Sequence, residues 1–252
     1  SEDFVEDMKR RYGEDSPAFH VRVLGNFPPS EEDTVIPVSL IEHAFNNEVK
    51  VHEDTAAIWG LDVARQGGDS SVLCKRQGPK IHPLTVWRNL DLMQLSGAVK
   101  AEYDAMPPSR RPIEIIIDSN GFGAGVLDRL RELGLPARGL NVSERAMAKQ
   151  TYLNLRAELW FKCKAWLEGM DVSLPRDDGL YAELAAPRYT FTSSGKIQVE
   201  SKDSMKKRGV RSPDRADALC LALANDHTTM AFGTASAGSW SKPIRRNIRG
   251  VV

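Results

Sequence analysis

The sequence predicts an α/β protein, and three observations carry that expectation. Ala56–Ala64 is a nearly continuous apolar run of strand length; the turn residues Gln66–Ser71 and a second strand, Ser71–Lys75, follow it as an antiparallel hairpin. Ile113–Asp118 is the most strand-like run in the chain. It passes through a Gly-rich loop into a helix, Gly125–Leu133, and then a strand over 136–142, which is the pattern of a crossover unit. Two long segments repeat apolar residues at helical spacing: Leu92, Leu95, Val99 and Tyr103, and then Tyr152, Leu155, Leu159, Cys163 and Trp166.

The remaining elements fall around this frame. Residues 1–54 read as a lead-in or linker, with a charged helical start, an alternating run at Phe19–Gly25 and a short helix at Ser39–Ala44. Lys80–Arg88 reads as a third strand, and 170–174 and 180–185 as short elements. Ser193-Ser194-Gly195 marks a hairpin between Arg188–Thr192 and Lys196–Glu200. Ser204–Gly209 suggests a basic turn of helix. In Ser212–Ala224, Ser212 suits an N-cap, Pro213 the first helical position and Asp214 the positive end of the dipole, and the apolar run Ala218–Ala224 predicts burial. Beyond Asp226 the chain turns Gly/Ser/Ala-rich and then basic, so 55–230 is the expected domain and 231–252 a flexible basic tail.

Lys+Arg and Asp+Glu both number 34 in 252 residues, but they are unevenly spread. Residues 1–54 carry 13 acids against 5 bases, so the rest of the chain is net positive. Six bases crowd Lys196–Arg211 and four more fall in Lys242–Arg249, local patches suited to phosphate. Cys74, Cys163 and Cys220 form no CxxC and read as core thiols of a reducing compartment, with no structural zinc. No signal-peptide pattern or membrane-length apolar run occurs, so a soluble intracellular protein is expected, with no membrane partner.

Three carboxylates stand where burial should disfavour them: Asp62 inside the first strand, Asp118 at the tip of another, and Asp217, with Asp214 one turn before it, at the head of the apolar helix. Singly, Asp62 has an alternative as the partner of a Lys or Arg, and Asp118 as a helix cap. Together they suggest a site for hard divalent cations, Mg²⁺ or Mn²⁺. Two such ions about 4 Å apart would activate water and stabilise the leaving oxygen of a phosphodiester. Gly121-Phe122-Gly123-Ala124-Gly125 departs from GxGxxG and follows an acid, so tight packing beside the site is the better reading than a dinucleotide loop. No GxxxxGK[ST] is present, which excludes P-loop ATP hydrolysis by this stretch. The basic run before the last helix places Lys202, Lys206, Lys207, Arg208 and Arg211 as candidates to grip a phosphate backbone.

Several of these stretches resemble one family. Trp59–Ala64, Ile117–Val126 and Glu200–Leu219, the last containing Ser212-Pro213-Asp214-Arg215-Ala216-Asp217-Ala218-Leu219, resemble the nuclease domain of tailed-phage DNA-packaging terminase large subunits. Tyr12–Gly25 resembles the segment that follows that family's ATPase, and Asn154–Trp160 is similar to the family as well; the likeness spans roughly 10–227. The block ending at Leu219 is shared with RNase H-like resolvases.

The resemblance implies an RNase H-like fold, a central mixed sheet flanked by helices. It implies that Asp62, Asp118 and Asp217 are catalytic and bind two Mg²⁺ or Mn²⁺ ions, with Asp214 as a supplementary ligand and Asp69 a weaker candidate. The expected activity is endonucleolytic cutting of concatemeric phage DNA. The implied partners are double-stranded DNA, a small terminase subunit supplying specificity, a portal protein and the ATPase domain of the same polypeptide, absent from this stretch. The expected compartment is the host cytoplasm. Two rivals remain at this point: a junction resolvase or RNase H of the same superfamily, and a non-catalytic module that docks onto DNA or a portal.

Overall fold

The structure, a computed structural model, describes residues 33–64 and 69–225 together with 4–6, 9, 23 and 24. The expected tail and most of the N-terminal 32 residues lie outside this set. In chain order the elements are α1 (Val38–Asn46), β1 (Ala57–Asp62), β2 (Ser71–Gln77), β3 (Lys80–Ile81), β4 (Thr85–Trp87), α2 (Leu92–Asp104), a 3-10 turn (Pro108–Arg110), β5 (Glu114–Asp118), α3 (Phe122–Glu132), β6 (Ala137–Leu140), α4 (Leu155–Glu168), α5 (Asp178–Ala185), β7 (Tyr189–Phe191), β8 (Ile197–Val199), α6 (Lys202–Lys207) and α7 (Asp214–Ala222).

The central sheet is mixed, as expected. Its order is β3-β2-β1-β5-β6, with β4 also on β2. The expected hairpin pairs β1 with β2 antiparallel, and the expected crossover pairs β5 parallel to both β1 and β6. The run read as one third strand, Lys80–Arg88, is split into β3 and β4, each antiparallel to β2. Pro83 lies in the break and has no N–H to give a ladder. The second hairpin, β7–β8, forms its own two-stranded sheet.

Alternation along the strands builds two cores. Trp59, Leu61, Leu73, Ile115 and Ile117 face one side and meet Leu95 and Val99 of α2 and Val126, Leu127 and Leu130 of α3. Ile58, Val72, Cys74 and Ile116 face the other side and meet α1, α4, α5 and α7. All three cysteines are buried free thiols on that side, consistent with core packing. Local signals explain several starts. Asp91 caps α2 in a capping box with Gln94, and Asn154 caps α4 through the N–H of Ala157 at 3.0 Å.

Part of the segment read as a lead-in belongs to the main core. Val35, Ile36, Val38, Ile41, Ala44 and Phe45 are all buried there. Val35 N–H donates to the carbonyl of Pro187 at 3.0 Å, and Tyr181 Oη bonds Glu42 at 2.7 Å. The apolar face of α1 therefore ties 33–47 to the same body as the strands.

Candidate active site

Two strand ends begin the site. The parallel register aligns Gly60 with Ile116 and Leu61 with Ile117, so the next step sets Asp62 beside Asp118. By alternation both side chains point to the α7 face. Asp62 is buried, while Asp118 is half-buried and accepts the Asn120 N–H at 3.2 Å.

Helix α7 closes the site because β1 lets it approach. A Cβ on Gly60 would stand 2.2 Å from the carbonyl oxygen of Ala218 and 2.4 Å from the nitrogen of Ala222, so only glycine permits this contact. Likewise a Cβ on Gly123 would meet the carbonyl oxygen of Asp118 at 1.7 Å, so the Gly-rich loop serves tight packing beside the site. The approach of α7 delivers Asp214 and Asp217. Asp217 Oδ1 accepts the Trp160 indole N–H at 3.0 Å and lies 3.6 Å from Arg156 Nη2. Asp214 Oδ2 accepts the Ser70 N–H at 2.8 Å. Lys202 reaches into the cluster: its Nζ is 3.0 Å from Asp217, 3.4 Å from Asp62 and 3.5 Å from Asp214. A small cavity of about 50 Å³, lined among others by Asp62, Asp118, Arg156, Trp160, Lys202 and Asp217, opens between them.

The aspartates differ in proton affinity. Burial pushes Asp62 up to about 7, with Lys202 pulling down and Asp217, Asp214 and Asp118 adding to the rise. Burial raises Asp118 as well, partly offset by backbone N–H groups of Asn120 and Val142. Burial opposes the charge of Asp217 too, but Lys202, Arg156 and the Trp160 hydrogen bond overcome it and hold that carboxyl below its ordinary value. Burial alone would lower Lys202; Asp217, Asp62 and Asp214 raise it, so it stays protonated.

Comparison with known proteins gives a consistent set of relatives. The chain is 24% identical over 223 residues to the probable terminase large subunit of Enterobacteria phage P7, covering 84% of this chain and 45% of that protein. It therefore spans about half the length of this curated relative. Among solved structures it is similar to a lysine-to-alanine variant of the nuclease domain of the large terminase subunit gp2 of bacterial virus Sf6, with manganese and beta-thujaplicinol: TM-score 0.64, 19% identity, 75% of this chain and 98% of that one. The large terminase nuclease of thermophilic phage G20c with bound cobalt matches at TM-score 0.58 and 18% identity, over 77% of this chain and 98% of that one. The fold is that of the large terminase nucleases. No family model matches the chain.

On this terminase nuclease fold, an RNase H-like mixed sheet with helices on both faces, the predicted residues are distributed unequally. Asp62, Asp118, Asp214 and Asp217 are brought together. Asp69 pairs with Lys206 at 3.1 Å instead. Of the five candidate phosphate grips, Lys202 is turned into the aspartate cluster, because three buried carboxylates attract its ammonium more strongly than solvent does. Arg208 pairs with Glu200 at 2.7 Å. Lys207 and Arg211 are exposed and meet no acidic side chain among the described residues.

The helix start also differs from expectation. Pro213, not Ser212, is the N-cap residue, and Ser212 Oγ is buried without a hydrogen-bond partner among the described residues. A carboxylate from α5, Glu183, takes the cap's place: its Oε2 accepts the N–H of Ala216 at 3.2 Å. Sequence reasoning assigned no role to Glu183, Arg156 or Trp160. A signal existed for the last two, which stand four residues apart on a helix whose buried face also carries Cys163.

The donor set suits a hard cation, being all carboxylate oxygen. Four aspartates face two cationic groups, Lys202 and Arg156, so the cluster is short of positive charge. Among the described residues no three acidic, histidine or cysteine side chains stand as a finished metal cage; the Lys202 ammonium lies between Asp62, Asp214 and Asp217.

Proposed function

We propose that this chain is the nuclease part of a viral DNA-packaging terminase large subunit, a metal-dependent endonuclease cutting concatemeric double-stranded DNA. The observation that carries the reading is the meeting of four aspartates, two from paired strand ends and two from one helix, with too few cations to balance them. Asp62, Asp118 and Asp217 are assigned as ligands of two Mg²⁺ or Mn²⁺ ions, and Asp214 as a supplementary ligand. Bound there, the ions would neutralise the carboxylates, activate water and stabilise charge developing on the phosphodiester.

The chain's own residues hold these ligands in place. Trp160 and Arg156 orient Asp217, while backbone N–H groups of Ser70 and Asn120 orient Asp214 and Asp118. Lys202 balances part of the aspartate charge. Lys207 and Arg211, with the acid-paired Lys206 and Arg208, would meet the DNA backbone beside the site. In this reading an ATPase domain on the same polypeptide drives packaging, a small terminase subunit selects the DNA, a portal protein receives it, and the host cytoplasm is the compartment. Among the described residues no helix is long and apolar enough to cross a membrane.

Plasmid DNA with Mn²⁺ tests the assignment. Wild type is expected to nick and linearise it. Asp62→Asn, Asp118→Asn and Asp217→Asn are each expected to abolish cutting, whereas Asp214→Ala weakens it. Cleavage persisting in all three asparagine variants would remove the assignment.

A further inference from the structure

The helix that carries Asp214 and Asp217 starts without a cap of its own, since Pro213 offers no side-chain acceptor. Its first-turn N–H groups are met from another helix. Glu183, on α5, turns Oε2 onto the backbone N–H of Arg215 at 2.5 Å and of Ala216 at 3.2 Å. Its Oε1 receives Arg215 Nη1 at 2.8 Å. Arg215 also lies 3.5 Å from Asp177, whose Oδ1 caps α5 through the N–H of Leu180 at 3.0 Å. Gly179 makes room, because a Cβ there would stand 2.8 Å from Arg215 Cζ. Both ends of α5 thus grip the first turn of α7, and the gripped residues, 215 and 216, lie between the two aspartates of the site.

We propose that Glu183 is a positioning residue for the acidic centre: by capping α7 from α5, it fixes where Asp214 and Asp217 stand. The metal-dependent part of the inference rests on the proposed nuclease function; the positional part does not. Burial pushes the Glu183 carboxyl up, to about 8, with Arg215 pulling it down and Asp214 adding to the rise. Arg215 lies within the block that links this sequence to terminases, and here it has a physical role: its Nη1, 2.8 Å from Oε1, docks the capping carboxyl.

The test needs a reporter of Asp217 that works without metal. The Trp160 indole N–H, bonded to Asp217 Oδ1 at 3.0 Å, supplies one through its ¹⁵N–¹H resonance. Glu183→Ala removes the acceptor. Glu183→Gln keeps one carbonyl oxygen for the two backbone N–H groups. Leu130→Ala, in the fully buried core on the opposite face of the sheet, lowers stability without touching α7. Without metal, Glu183→Ala is expected to move the Trp160 resonance, while Glu183→Gln largely preserves it and Leu130→Ala leaves it in place. With Mn²⁺, the ion concentration for half-maximal cleavage is expected to rise about tenfold in Glu183→Ala, the size of effect known for groups that orient metal ligands, and to change less than twofold in Leu130→Ala. If Glu183→Ala does not fold, Glu183→Asp, one methylene shorter, replaces it with the same expected shift. An unmoved resonance in the folded variant overturns the proposal whatever cleavage does. A moved resonance in a protein that never cuts DNA keeps the positioning role and removes the nuclease reading.

Discussion

The two faces of the central sheet come from the same strands and do different work. Towards α2 and α3, odd-numbered residues of β1 and β5 build an apolar core. Towards α7, the even-numbered ones do so only part of the way: Ile58 and Ile116 are apolar, Gly60 has no side chain, and Asp62 and Asp118 are acids. The five buried charged side chains among the described residues, Asp62, Arg76, Glu158, Asp214 and Asp217, all belong to this second side or to helices packed on it. Period-two alternation lets one face supply packing while the other tolerates charge, because a change on one face leaves the side chains of the other in place.

The sharpest way to break this comparison is to alter neighbouring residues of β1. Leu61→Ala empties a fully buried site on the apolar face and is expected to cost about 2–5 kcal/mol of stability. Gly60→Ala overpacks the other face against α7 backbone, at a cost of about 1–3 kcal/mol. Their effects on cleavage should diverge far more. Displacing α7 moves Asp214 and Asp217, and a misplacement of ~1 Å costs on the order of 10²-fold in rate. Thermal unfolding and plasmid cleavage, measured well below both melting points, should show Gly60→Ala as the lesser loss of stability and the greater loss of activity. Equal activities would mean that the closeness of β1 and α7 serves packing alone.

A second test concerns charge within the α7 face. Asp62 has a folded-state value of about 7, above that of the unfolded chain. A carboxyl raised in this way stabilises the fold while it is protonated and loses that contribution as pH rises through the folded value. Asp62 should therefore weaken the fold between pH ~4 and 7, by a few kcal/mol at most. Asp217, held low by Lys202 and Arg156 against burial, has the opposite sign and loses its contribution only as pH falls through its low folded value. A divalent ion competes with the Asp62 proton, so melting curves should show a larger Mn²⁺-induced rise in Tm at pH 8 than at pH 6. In Asp62→Asn that pH dependence should flatten. A rise independent of pH in wild type would place the ion away from Asp62.

Much of this was legible in the sequence, for definable reasons. The hairpin and crossover were readable because buried strands are continuous apolar runs, and because Asp62 and Asp118 interrupt or end them. The convergence of the four aspartates followed from the positions of their elements and from the likeness to a known family. The capping of α7 was not legible. Ser212-Pro213 has the composition of a helix start, but its acceptor comes from Glu183, 30 residues away, and no local pattern reports a contact between helices. The role of Lys202 was hidden for a similar reason. In sequence it is one base among several in a basic run, and only the fold turns it towards three carboxylates while Lys207 stays in water.

That division among the bases sets the smallest expected effect. Lys206 and Arg208 already face Asp69 and Glu200, whereas Lys207 and Arg211 are exposed and meet no acid among the described residues. A cation that neutralises a DNA phosphate contributes about −0.9 to the slope of log K against log salt concentration. Lys207→Ala and Arg211→Ala should each flatten that slope by about 0.9 if they touch the backbone. Lys206→Ala should change it less, because Lys206 is already paired with Asp69 at 3.1 Å and is not free to neutralise a phosphate. Binding of duplex DNA across a series of salt concentrations, with Ca²⁺ in place of Mn²⁺ to suppress cutting, measures the difference. Equal slopes for all three variants would mean that DNA draws Lys206 away from Asp69 on binding, and that pairing in the free protein does not decide which bases meet phosphate.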